Sequence, residues 1–386
     1  ELKGIDDEAA LVRLGTAMTG AYAMHQDTER ALGLLDEYIG RAERLDLIDI
    51  VVELLMRRGI LLGQTGRSYE ASALTRGALE LAETHGLFGI AIACRGNLAF
   101  YLNERDPAKA YAFDRETLAE TRRLGMRQRM LLILGNSSEG ARLTGDWDWA
   151  LGELATQLAT ELDRPDRAWY LGNTLVFRCW RGEASAEEWA DWEAMVEGHD
   201  DPQAVADYTD VKALRALTDG RFADARRFAI ESFSTVGGRP SRRTLAARAA
   251  LWSGDRAGAT ADLEAIDATG VHGPAAELRR TTIRAGIAAL DGRTGEAIAQ
   301  YRTAREGWRD IGVVWEEALV GIDMATLLDP REPEVVAAAA RSREILTGLR
   351  ARPFLDRLEA GLARSGEPAS AAATTRPAEA ADRTAV

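Results

Sequence analysis

Gly145-Asp-Trp-Asp-Trp-Ala150 and Gly220-Arg-Phe-Ala-Asp-Ala225 share one pattern: a turn glycine, an aromatic residue two positions on, and alanine at the fifth. The unit recurs as Gly66–Ala71, Gly254–Ala259 and Gly292–Ala297, and more weakly as Gln26–Ala31 and Arg105–Ala110. Glycine permits the left-handed backbone that reverses a chain between two helices. Alanine early in the second helix lets that helix approach the first closely. From Ala31 to Ala150 the alanines step by 40, 39 and 40 residues. An irregular copy spans Gly182 to Ala190, and Ala190 would keep the step. A fixed period of this length marks a repeat architecture.

Between the turns the apolar spacing is helical. Ala10, Leu11, Leu14, Ala17 and Met18 form one stripe, and Leu74, Ala78, Leu81 and Ala82 another. β-branched runs alternating with polar residues are nearly absent. The sequence therefore predicts an all-α chain of eight or nine helix-turn-helix units. The predicted pairs are 8–24/28–45, 47–65/68–85, 87–103/107–124, 126–144/147–162 and 166–181/185–198. They continue as 203–219/222–235, 241–253/255–268, 274–291/294–311 and 313–328/333–348, with a closing helix at 353–364. One pair cannot bury both its apolar faces, so the pairs stack. The expected product is a right-handed α-solenoid over residues 1–364, its concave groove lined by the first helix of each pair. Residues 365–386 lack large apolar side chains other than the final valine and are expected to be a disordered tail.

The units at Gly145/Trp147/Ala150 and Gly220/Phe222/Ala225 resemble the core of tetratricopeptide repeats, and the resemblance covers about residues 8–348. The chain departs from that family in its longer period and in lacking proline at the repeat ends. It is similar to the longer-repeat variant of large bacterial signalling ATPases. The segment Leu349–Leu362 resembles the closing helix of bacterial proteins that join a class III nucleotidyl cyclase, an AAA-type ATPase and a repeat array. LuxR-type ATPase regulators end similarly but add a helix-turn-helix, and none follows here. The resemblance implies a regulatory arm that binds protein, peptide or small effector and contacts an upstream ATPase. The alternatives are a stand-alone interaction scaffold and the sensor arm of a LuxR-type transcription regulator. The first residue is Glu, which fits a segment of a longer protein.

Composition narrows the function. The 386 residues carry a net charge of −13, with 46% hydrophobic residues and only three lysines, Lys3, Lys109 and Lys212. That balance argues against nucleic acid or an anionic membrane surface as partner. No apolar run reaches membrane-spanning length. Cys94 and Cys179 are too separated for a redox or metal motif and read as buried thiols of a cytoplasmic protein. No Gly-Lys dipeptide, and hence no P-loop, occurs. HExxH and GxSxG motifs are also absent, and His25, His85, His199 and His272 are widely spaced. The expectation is a non-catalytic segment with no cofactor or metal.

Three constellations remain as candidate sites. Asn97, Asn136 and Asn173 recur on first helices, where an amide can both donate to and accept from a bound peptide, or else set repeat stacking. Tyr101 and Phe177 follow at i+4, and Arg142 and Arg178 could supply positive charge to the groove. Six of the nine tryptophans, Trp147, Trp149, Trp169, Trp180, Trp189 and Trp192, crowd the fourth and fifth units, either as core or as a partner patch. Finally, residues 182–211 hold ten acids and no Lys or Arg. Glu187, Glu188, Asp191 and Glu193 are the candidate acidic docking surface, against the plainer reading of a solvated face.

Overall fold

The structure, a computed structural model, describes residues 7–24, 28–235 and 239–364. The segment expected as a tail, His25, and the Gln26 start of the weak repeat copy lie outside the described residues. Nineteen helices and no strands are present among the described residues. They are α1 (Glu8–Met24), α2 (Thr28–Arg44), α3 (Ile48–Gln64), α4 (Ser68–Thr84), α5 (Phe88–Asn103) and α6 (Pro107–Arg123). The middle of the array holds α7 (Arg127–Thr144), α8 (Trp147–Leu158), α9 (Arg164–Arg181), α10 (Ala186–Val196), α11 (Pro202–Thr218) and α12 (Phe222–Thr235). The last units are α13 (Pro240–Trp252), α14 (Arg256–Ala268), α15 (Pro274–Leu290), α16 (Thr294–Asp310), α17 (Val314–Leu327) and α18 (Pro333–Leu349), closed by α19 (Arg352–Leu362). The helices pack on their neighbours in chain order, as a helical repeat solenoid requires, except that α11 packs on α9 rather than on α10.

The repeat signature works as its residues imply. Gly145 ends α7 with φ +88°, its N–H donating to the Ala141 carbonyl. Ala31, Ala71, Ala150, Ala225, Ala259 and Ala297 are fully buried between helices. Ala190 is exposed instead, so the irregular unit does not use it. There the size relation is inverted. Trp192 of α10 fills the space over Gly172 of α9, where an added Cβ would lie 2.9 Å from the indole nitrogen. That indole N–H donates to the Ala168 carbonyl at 2.9 Å. Helices α9 and α11 begin slightly earlier than the apolar pattern suggests. Asp163 and Asp201 cap them by accepting from backbone N–H groups at 2.8 Å, with proline in the first turn.

The array also closes on itself, which the repeat pattern does not announce. The Glu104 carbonyl after α5 accepts from the Ala275 N–H at 3.1 Å, and the Glu104 carboxylate pairs with Arg279 of α15. Helix α7 packs on α17 and α9 on α19, and a Cβ added at Gly145 would meet Val314 and Leu349, and one at Gly182 would meet Pro353. Asp148 takes Arg181 at 2.9 Å and also Arg350, while the Arg181 Nε donates to the Leu349 carbonyl at 3.2 Å. Behind this seam Trp180 and Trp315 stack at 4.4 Å, with Trp147 and Phe354 edge-on to Trp315. Most of the tryptophans are thus core, drawn from units distant in sequence. One large apolar cluster runs from Ile92 to Leu358, whereas the first two units, with Ala91, Cys94 and Tyr101 of α5, hold three separate small clusters.

Two outcomes follow. Trp147→Ala removes the aromatic that joins α8 to α9 and α17, and should cost about 3–5 kcal/mol in denaturant unfolding. A loss below about 1 kcal/mol would contradict its place in the seam. In native-state hydrogen exchange, amides of α1 to α4 should open at lower free energy than those of α13 to α17. Uniform protection along the chain would show that the small clusters are not separate units.

Candidate functional site

First helices α7, α9, α11 and α13 together line a cavity of about 310 Å³ that is open on one side to solvent. A second cavity of about 110 Å³ continues from it, sharing Glu139, Arg142, Asp210 and Ser241. The helical period sets the layers. On α7, Leu132, Asn136, Glu139 and Arg142 lie three or four residues apart and therefore share one face. Asp207, Asp210 and Leu214 do the same on α11, as do Ser241, Leu245 and Arg248 on α13. The outer end is walled by Leu131, Leu132 and Trp169, the middle is charged, and Trp180, Trp315 and Phe354 line the inner end. Trp169 can lie flat on α7 because Gly135 has no Cβ, which would come within 2.5 Å of the ring.

The charged layer is an alternating lattice. Arg242 donates to Asp207 at 2.8 Å and to the Ser232 carbonyl at 3.0 Å. Arg239 reaches Glu139 at 3.4 Å, and Arg248 pairs with Glu316 at 2.8 Å and Asp323 at 3.3 Å. The Trp252 indole N–H also donates to Asp323 at 2.7 Å. Burial pushes the Glu139 carboxyl up, but Arg239, Arg142, Arg242 and Arg279 together hold it below its usual range. Asp207 and Asp210 go the other way: burial, the largest cause, leaves both raised despite the arginines around them.

The structure sorts the candidates from the sequence. Asn136, Arg142, Trp169 and Asn173 all line the cavity. Asn173 spends one amide N–H on the Trp169 carbonyl at 3.0 Å. Asn97 instead bonds the Ala93 carbonyl of its own helix at 2.9 Å and lines none of this cavity. Tyr101 is buried against Gly63 of α3 and Leu62 and borders a separate cleft lined by Tyr69, Arg76 and Phe113, so it lies away from this cavity. Phe177 is likewise fully buried, edge-on to Trp147. The i+4 step from Asn97 and Asn173 carried both rings around to the packed side. Arg178 points to α10, pairing with Glu188 and donating to the Glu183 carbonyl at 2.9 Å.

The acidic surface is also divided. Glu188 closes a capping box with Ser185 at the start of α10, and Glu193 pairs with Arg215 at 2.9 Å. Glu187 and Asp191 stay exposed. Sequence reading missed the roles of Glu139, Asp207, Asp210, Arg239 and Arg242. Their signal was present: charges recurring every three or four residues on the first-helix face away from the small packing residues. Among the described residues no cluster of His, Cys, Asp and Glu is arranged to hold a metal ion, and no helix is long and apolar enough to cross a membrane. Cys94 and Cys179 are buried free thiols, pushed up to about 12 and about 11 mainly by burial.

Behind the cavity, Asp114 of α6 is buried, and one carboxyl oxygen has no hydrogen-bond partner among the described residues. Burial, then the Glu139 charge, raises it to about 8. The folded pKa lies above the unfolded one, so the folded state binds the extra proton. Stability should fall as pH rises from about 4 to about 8. Asp114→Asn should raise the melting temperature at pH 8 and change it little at pH 5. Equal effects at both pH values would refute the assignment.

A scan against family models and a search of curated proteins each find no match to this chain.

Proposed function

We propose that this chain is a non-catalytic, effector-binding regulatory module of a cytoplasmic signalling protein. The observation that carries the reading is the internal cavity. Four first helices from four units contribute to it, and α17 and α19 line its inner end. A ligand held there touches units far apart in sequence. If it binds one curvature of the array more tightly than another, it shifts the balance between them. The seam through Glu104, Gly145 and Gly182 is where such a shift would alter contacts between the middle and the end of the array. By the resemblance of the repeats and of Leu349–Leu362, the upstream receiver would be an AAA-type ATPase coupled to a nucleotidyl cyclase.

The test is activity of the full-length protein carrying Asn136→Ala or Trp169→Ala, with folding checked by circular dichroism. Both should change the response of ATPase or cyclase activity to effector while the helical signal is preserved. Unaltered basal activity and unaltered response in both variants would remove the cavity from regulation.

A further inference from the structure

Ten charged side chains line the two joined cavities: Glu139, Asp201, Asp207, Asp210 and Glu316 against Arg142, Arg239, Arg242, Arg248 and Arg279. The formal charges cancel. Eight of the ten are already engaged. Asp207 holds Arg242, Glu139 holds Arg239, Glu316 holds Arg248, Arg279 holds Glu104, and Asp201 caps α11. Arg142 and Asp210 remain. Neither side chain makes an ion pair or hydrogen bond with a described residue, yet both line both cavities. They sense each other's charge without reaching ion-pair distance. An unpaired cation and an unpaired carboxylate thus face a common space, with an apolar wall of Leu131, Leu132 and Trp169 toward the outer end.

We infer that this space is a binding site for a small zwitterion, a free apolar amino acid or a dipeptide, whose carboxylate meets Arg142 and whose ammonium meets Asp210. The inference rests on the reading of the cavity as the effector site and names the chemistry of the occupant. A simple anion would satisfy Arg142 and leave Asp210 facing added negative charge, and a simple cation would do the reverse. A half-buried charge without a partner is costly, so a ligand that supplies both signs is favoured over one that supplies either. The outer cavity, at about 310 Å³, lies at the small end of the range for small-molecule sites, about 300–1,000 Å³. Burial raises Asp210 even with Arg242, Arg142 and Arg239 nearby, as fits a carboxyl whose direct cationic contact is missing.

The probes for calorimetric titration are L-leucine, L-phenylalanine and the dipeptide Leu-Leu. Their controls are N-acetyl-L-leucine, which lacks the ammonium, and L-leucinamide, which lacks the carboxylate. At least one zwitterion should bind the wild-type chain, and each blocked form should bind about 10- to 100-fold more weakly. Arg142→Gln should abolish the preference for leucine over leucinamide. Asp210→Asn should abolish the preference for leucine over N-acetyl-leucine. Glu116→Gln, an exposed change on α6, should alter neither, and melting curves confirm that each variant folds. Which of amino acid and dipeptide binds more tightly identifies the source of the zwitterion. Equal binding of free and blocked forms, or no zwitterion binding at millimolar concentration, overturns the inference. If that happens while Trp169→Ala still changes the response of the full-length protein, the effector-site reading survives and the zwitterion does not. If Trp169→Ala is also silent, both fall.

Discussion

The close approach of paired helices is the constraint on which the rest of the structure depends. An alanine or glycine at each crossing removes the side chain that would hold the helices apart, and a larger partner fills the space. Gly15 beneath Tyr38, Gly172 beneath Trp192 and Gly286 beside Leu251 show the same relation in different units. A Cβ at any of these glycines would lie within 3 Å of the partner ring or branch. Because the interior is packed to near-crystalline density, such contacts set the spacing within and between helix pairs. The spacing in turn determines how sharply the array curves.

Curvature then converts a one-dimensional stack into an enclosure. A straight solenoid has only nearest-neighbour interfaces. Here the turn after α5 meets α15, the turn after α7 meets α17 and the turn after α9 meets α19. The tryptophans at that seam exclude water from one end of the space between the first helices. Charges that would be solvated on an open concave face become half-buried and must find partners. The paired arginines and carboxylates of α7, α11 and α13 are the response to that demand, and Asp114 behind them shows what happens when a carboxyl has no cation: it holds its proton to about pH 8.

Much of the fold was legible in the residue order. The turn glycines, the buried alanines and the 3.6-residue apolar stripes are local signals, and each nominates its own helix and its own packed face. The candidate site was legible in part. Asn136, Arg142, Trp169 and Asn173 reach the cavity because each lies on an inner-helix face that periodicity can identify. Tyr101 and Phe177 were misplaced by the same reasoning. A step of four residues advances 400°, so a neighbour at i+4 is rotated by about 40° and can cross from the groove to the packed side.

Sequence by itself determined the helices, their pairing and the absence of a P-loop or zinc-protease motif, because those depend on residues within about forty positions of one another. Only the tertiary structure decided which charges meet. Arg248 finds Asp323 across 75 residues, Arg279 finds Glu104 across 175, and Arg350 finds Asp148 across 202. Those meetings follow from the curvature of the whole array, which accumulates from small packing angles at every crossing. No single repeat contains that sum, and so none could reveal that Arg142 and Asp210 would line one cavity, each without an ion-pair partner among the described residues.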